Sequence, residues 1–172
     1  MVKSRKGRKS MFGLGKLFGK KAGEVLGAPV QGKAVAISEV SDPTFGQEIL
    51  GKGFAIIPSV GRVVAPIDGT VEMVFDTKHA ISMSSESGIQ ILIHVGLDTV
   101  SLKGEPFKAY VEAGQTVKKG DLMLEFDIEA IKAAGLETIT PVVICNSDDY
   151  KEINANVGKE VATGDEVLTL VK

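Results

Sequence analysis

A chain of 172 residues with 44% hydrophobic content can cover one core, and 20 glycines with 5% aromatics and no tryptophan suit a turn-rich β domain better than a helical bundle. The single cysteine, Cys145, excludes an intramolecular disulfide framework and a Cys-rich zinc site. The net charge of −2 hides a division: the first 21 residues hold eight Lys or Arg and no acid, which leaves 12 basic against 22 acidic residues from Ala22 onward, a body that repels nucleic-acid phosphates and suits basic protein partners.

Residues 1–27 read as a basic, flexible tail and residues 28–172 as one folded domain. Met11, Leu14 and Phe18 share a helical face among lysines, which fits a short segment touching anionic membrane. Gly13, Gly15 and Gly19 each cost such a helix about 1 kcal/mol relative to Ala, and the alternative is a disordered arm. No apolar run reaches the ~18 residues of a membrane span. Lys16 interrupts the only signal-like stretch, so the expected location is the cytoplasm, with peripheral contact at the inner membrane face as the tail's alternative.

From Ala28 the chain repeats itself. Ala28-Pro29-Val30-Gln31-Gly32 resembles Ala65-Pro66-Ile67-Asp68-Gly69, and the run from Gly114 to Asp121 matches that from Gly158 to Asp165, each ending in Gly-Asp before an alternating apolar strand. The expected fold is all-β, an antiparallel β-sandwich with internal pseudo-symmetry, in the manner of a duplicated barrel-sandwich hybrid. A helical turn is expected over Phe45 to Leu50, and a helix over Ile128 to Ala134 between an Asp127 N-cap and Gly135. The rest alternates with period two or turns, and Cys145, ending the apolar run from Pro141, reads as a buried strand residue.

Only two histidines exist, and they flank a turn at Ser85-Glu86-Ser87-Gly88. A hairpin centred between Glu86 and Ser87 pairs Met83 with Gln90, Ile81 with Leu92, His79 with His94 and Thr77 with Gly96. A one-residue bulge would break this register. Two imidazoles so close favour at least one neutral ring, whose free nitrogen can be a nucleophile or a metal ligand. The rest of the inventory offers little: there is no G-x-S-x-G elbow, no Walker A loop and no G-x-G-x-x-G opening a helix. With no evident means of binding ATP, a phosphoryl group would have to arrive from another protein.

Thr77-Lys78-His79-Ala80 and the run from Ile93-His94-Val95-Gly96-Leu97-Asp98-Thr99-Val100 to Gly104 resemble the two active-site motifs of the glucose-family IIA proteins of the bacterial sugar phosphotransferase system. The resemblance extends from about Ala28 to Lys172 through Asp42-Pro43-Thr44-Phe45, Gly51-Lys52-Gly53-Phe54 and Thr140-Pro141-Val142-Val143. It implies a phosphotransferase component in which His94 accepts phosphate on Nε2 from the phosphohistidine of HPr and passes it to a cysteine on the IIB domain of a permease. His79 would support the phosphoryl group in transfer, while Thr77 and the Gly96 carbonyl would orient the rings through Nδ1. Phe45, Ile49, Phe75 and Leu92 would form an apolar rim, with core packing as their bland alternative, and Asp42 and Asp98 would meet basic residues of HPr. No cofactor is implied, and regulatory protein partners are a further class the family admits.

Two rivals share parts of the pattern. Biotinyl and lipoyl carriers also use a Gly-Asp turn before a strand, but neither copy here leads into a Met-Lys-Met or Asp-Lys-Ala tip. A zinc-binding β-sandwich such as a lysostaphin-type peptidase needs three protein ligands, so zinc at His79 and His94 would require a partner to complete it.

Overall fold

The computed structural model describes residues 23–172. Fourteen strands alternate with tight turns: β1 (Glu24–Gly27), β2 (Gly32–Ala36), β3 (Lys52–Pro58), β4 (Arg62–Val64), β5 (Gly69–Val74), β6 (Ala80–Ser85) and β7 (Gln90–His94) come first. They are followed by β8 (Phe107–Ala109), β9 (Thr116–Val117), β10 (Leu122–Phe126), β11 (Thr140–Ile144), β12 (Glu152–Ala155), β13 (Lys159–Val161) and β14 (Glu166–Val171). All pairings are antiparallel. One sheet has eight strands in the order β13-β2-β3-β11-β7-β6-β5-β9, and two have three, β1-β14-β12 and β4-β10-β8. Residues of all three sheets, among them Leu26, Phe54, Met83, Ile91, Met123, Leu124 and Leu168, bury one continuous core, as expected of a sandwich.

The expected duplication is visible bond by bond. Ala65 N donates to Asp121 O (2.9 Å) and Gly120 N to Ala65 O (2.9 Å), while Ala28 N donates to Asp165 O (2.7 Å) and Gly164 N to Ala28 O (2.9 Å). Each Asp side chain closes the same turn, accepting from Lys118 N or Ala162 N at 2.9 Å. The small sheets have matching orders, and the large sheet reads alike from both ends about the β7–β11 seam. Gly69 faces Ser85 on one side as Gly32 faces Pro58 on the other.

Two short helices interrupt the strands. α2 (Ile128–Ala133) begins where the sequence predicts, with Asp127 accepting from Ala130 N (3.0 Å) and Gly135 beyond its end at φ +80. α1 (Pro43–Gly46) starts earlier than expected, because Asp42 caps it through Thr44 N (2.9 Å) and Pro43 supplies a preset φ in the first turn. Three 3-10 turns, Ile37–Glu39, Thr99–Leu102 and Ser147–Asp149, stand where only strands and turns are expected. Cys145 corrects another expectation: β11 ends at Ile144, and the cysteine beyond it is exposed. Glu24–Gly27, at the end of the expected tail, pairs with β14. The basic segment with its membrane contact lies outside the described residues. Among those residues no helix is long and apolar enough to cross a membrane.

Candidate functional site

The two histidines meet, but not through the expected register. Ser85 N donates to Ile89 O (2.9 Å) and Gly88 N to Ser85 O (3.0 Å), with Gly88 at φ +100. This is a three-residue hairpin loop with glycine in the left-handed position, not a two-residue one. The added residue shifts the ladder by one, so Ala80 faces His94, Ile81 faces Ile93 and Ser82 faces Leu92. His79 lies one residue before β6, in a turn closed by Lys78 N to Phe75 O (2.7 Å) and Phe75 N to Ala80 O (3.1 Å), with Lys78 at φ +58. Freed from strict alternation, its ring reaches the face that His94 occupies. The centroids are 4.9 Å apart and the planes 82° to one another. Backbone continuity is kept by Val95 N, which donates to His79 O (2.7 Å).

Each ring is held by its own neighbour, and the expected Thr77–Gly96 cross-strand pair does not form. His94 Nδ1 lies 2.8 Å from Gly96 O, and His79 Nδ1 lies 2.6 Å from Thr77 Oγ1. The two anchors differ in kind. A carbonyl only accepts, so Nδ1 of His94 carries the proton and Nε2 keeps its lone pair. A hydroxyl donates or accepts, so Thr77 fixes the orientation of His79 without fixing its tautomer.

Aromatic rings hold the imidazoles from outside. Phe45, 5% exposed, packs against His94 at 4.9 Å and 50°, and Phe75 meets His79 edge-on at 5.4 Å. Phe45 also joins Val35, Ile37, Val40, Ala55, Leu97, Ile139 and Val143, with partly buried Leu92 against them, in a second small core on the outer face of the large sheet. Phe45 and Leu92 are therefore packed rather than free. Ile49, at 68% exposure, is the predicted rim residue that stands open to a partner.

Burial sets the charge state. His79 is 5% exposed, and desolvation, followed by the neighbouring His94, lowers its pKa from 6.5 to about 4. Half-buried His94 is also lowered by desolvation, against which the Gly96 carbonyl, Asp42, Asp98 and its own backbone pull upward. Asp42 thus has two roles, helix cap and charged neighbour of the His94 ring, while Asp98 is exposed at φ +61 beside it. At neutral pH both rings are neutral. Among the described residues no cluster of three or more His, Cys, Asp or Glu could hold a metal, so the histidine pair offers two ligands at most.

Thr99 and the backbone of Glu137 contribute to the site beyond the residues to which the two motifs assign a role. Leu97 N donates to Glu137 O (3.1 Å), and fully buried Thr99 donates its hydroxyl to Val95 O. Thr99 lies inside the recognised motif, which was the available signal; Glu137 is 41 positions beyond Gly96 and gave none.

Residues 24–150 match the family described as phosphoenolpyruvate-dependent sugar phosphotransferase system, EIIA 1. The chain is 41% identical over 168 residues to a PTS system glucose-specific EIIA component of Halalkalibacterium halodurans, covering 95% of this chain and 97% of that one. It is 49% identical over 127 residues to a PTS system beta-glucoside-specific EIIBCA component of Bacillus subtilis, covering 74% of this chain but only 21% of that longer protein. The solved glucose permease IIA from Mycoplasma capricolum superposes with a TM-score of 0.80 at 32% identity, over 88% of this chain and 97% of that one. With a matched region that contains both histidines and both of their anchors, the chain belongs to the EIIA 1 family of the sugar phosphotransferase system.

Proposed function

We propose that this phosphotransferase-system component accepts a phosphoryl group on His94 Nε2 from the phosphohistidine of HPr and delivers it to the cysteine of a IIB domain of a glucose-type permease. The observation that carries the proposal is the bond from His94 Nδ1 to the Gly96 carbonyl, which leaves Nε2 as a neutral, fixed nucleophile beside a second imidazole. In the transfer the Nε2 lone pair forms the new P–N bond, and the electron pair of the donor's P–N bond returns to the donor ring. The Nδ1 proton stays on the Gly96 bond throughout. Phosphoryl transfer rests on positioning and charge stabilisation; the held His94 ring supports the first and the adjacent His79 ring the second. Thr77 lets His79 take the tautomer that presents Nε2–H to a phosphoryl oxygen, which stabilises transfer without a second acceptor.

Exposed Ile49 and partly buried Phe75 provide the apolar contact that excludes water, and Asp42 and Asp98 provide negative charge for a basic donor. Such a carrier works in the cytoplasm. Incubation with phosphorylated HPr tests the assignment, with mass spectrometry under neutral or basic conditions that preserve phosphohistidine. Phosphate is expected on His94 and absent from His94→Ala. In His79→Gln acceptance persists, while transfer to IIB falls by about a hundredfold. Label on His79 alone, or on a serine, would sink the assignment.

A further inference from the structure

We infer that Thr99 is a positioning residue for the phosphoryl acceptor, acting through two peptide units that fix the tautomer of His94. The inference deepens the function proposed above and rests on it for its consequence, but not for its geometry. A peptide unit is planar, so holding one end aims the other. The Gly96–Leu97 unit is held at its N–H by Glu137 O (3.1 Å), and its C=O is thereby directed at His94 Nδ1 (2.8 Å). The preceding Val95–Gly96 unit is held at its C=O by the Thr99 hydroxyl, and Val95 N is tied to His79 O (2.7 Å).

Gly96 therefore sits between two anchored planes, at φ +74, where its backbone leaves no slack. A β-carbon there would lie 2.5 Å from the Thr99 methyl and 2.7 Å from Glu137 O. Thr99 and Val95 are both fully buried, so no water can replace the hydroxyl. Losing that donor strands the Val95 carbonyl and favours rotation of the Val95–Gly96 plane toward any other donor. That rotation swings the Gly96 carbonyl away from His94 Nδ1. The ring then loses the acceptor that keeps its proton on Nδ1, and a population with the proton on Nε2, which cannot attack phosphorus, appears.

The experiment is nitrogen-15 NMR of the histidine rings in the full chain at pH 7, alongside the rate of phosphate acceptance from phosphorylated HPr. Wild type is expected to show a single His94 tautomer with the proton on Nδ1. Thr99→Val keeps the shape and removes the donor, and is expected to give mixed tautomers and at least about tenfold slower acceptance. Thr99→Ser keeps the hydroxyl and is expected to restore both. If Thr99→Val does not fold, Thr99→Ala takes its place. A wild-type tautomer in the valine or alanine variant overturns the inference, as does equal impairment of the serine variant with the tautomer unchanged, which would make Thr99 a packing residue. Because the NMR reading involves no phosphate, failure of wild type to accept phosphate would count against the proposed function and leave the tautomer result to decide this one.

Discussion

Acidification should destabilise this protein, and about 3 kcal/mol of that loss should trace to a single side chain. The fold holds His79 as a neutral ring, with its pKa lowered from 6.5 to about 4 by burial and by His94. Because the folded value lies below the unfolded one, the contribution is complete above pH 6.5, is lost progressively as pH falls from 6.5 to 4, and is gone below that. A shift of that size corresponds to about 3 kcal/mol of stability lost between pH 7 and pH 4. His79→Gln keeps a polar group beside Thr77 and removes the titration, so the variant should escape this loss. Urea unfolding of both proteins at pH 7, 5.5 and 4 isolates the effect, since the carboxylates and His94 are common to both. With slopes of about 1–3 kcal/mol per molar urea, the wild-type midpoint should fall by about 1–3 M more than that of the variant. Parallel losses in the two proteins over that window would refute the reasoning and mean that His79 is not held neutral by the fold.

Gly96→Ala and Gly88→Ala form a matched pair, both at positive φ, at +74 and +100, but only the first with atoms in the way. Gly88→Ala should cost about 1–2 kcal/mol for the backbone alone, and Gly96→Ala a further 1–3 kcal/mol or so for the clash with Thr99 and Glu137, read as urea midpoints; equal costs would contradict the packing described. The buried Tyr150 hydroxyl has no hydrogen-bond partner among the described residues, so Tyr150→Phe should raise stability by about 1 kcal/mol in the same assay, and a loss would show that the hydroxyl is satisfied.

What the sequence could reveal depended on whether the cause was local. α2 was legible because Asp127 and Gly135 punctuate it, and the duplicated turns because each Gly-Asp copy carries its own closing bonds. The contact between the histidines was foreseen through a register one residue out. Ser-Glu-Ser-Gly accommodates a two- or a three-residue loop, and the choice is made by the positive φ at Gly88, which the letters do not encode. His79 and His94 meet nonetheless because the chain leaves strand geometry at Lys78. The motif named the anchors Thr77 and Gly96, but could not show that Phe45 and Leu92 serve a second core, since Val143, Ile139 and Ala55 reach it from distant strands. The exposure of Cys145 is not legible in the letters, because an apolar run does not announce where its strand ends.

The repeated frame presents its outer surface twice, and only one presentation carries the histidine pair. The correspondence that lays Gly69 on Gly32 and Ser85 on Pro58 lays Ala80 on Gly53, and their partners His94 and Val143 then coincide, as do His79 and Lys52. Where one copy carries an imidazole, the other carries a fully buried valine facing Leu92 across the seam. The copies thus differ at one matched position: one carries the His94 imidazole and the other a buried valine in the floor beside it. That floor is an antiparallel strand pair at the centre of the broadest sheet, far from any fraying edge, so His94 stands on one of the least deformable parts of the molecule. Under the function proposed above, a carrier that meets two different partners in turn gains from this arrangement, because each has to conform to the same ring.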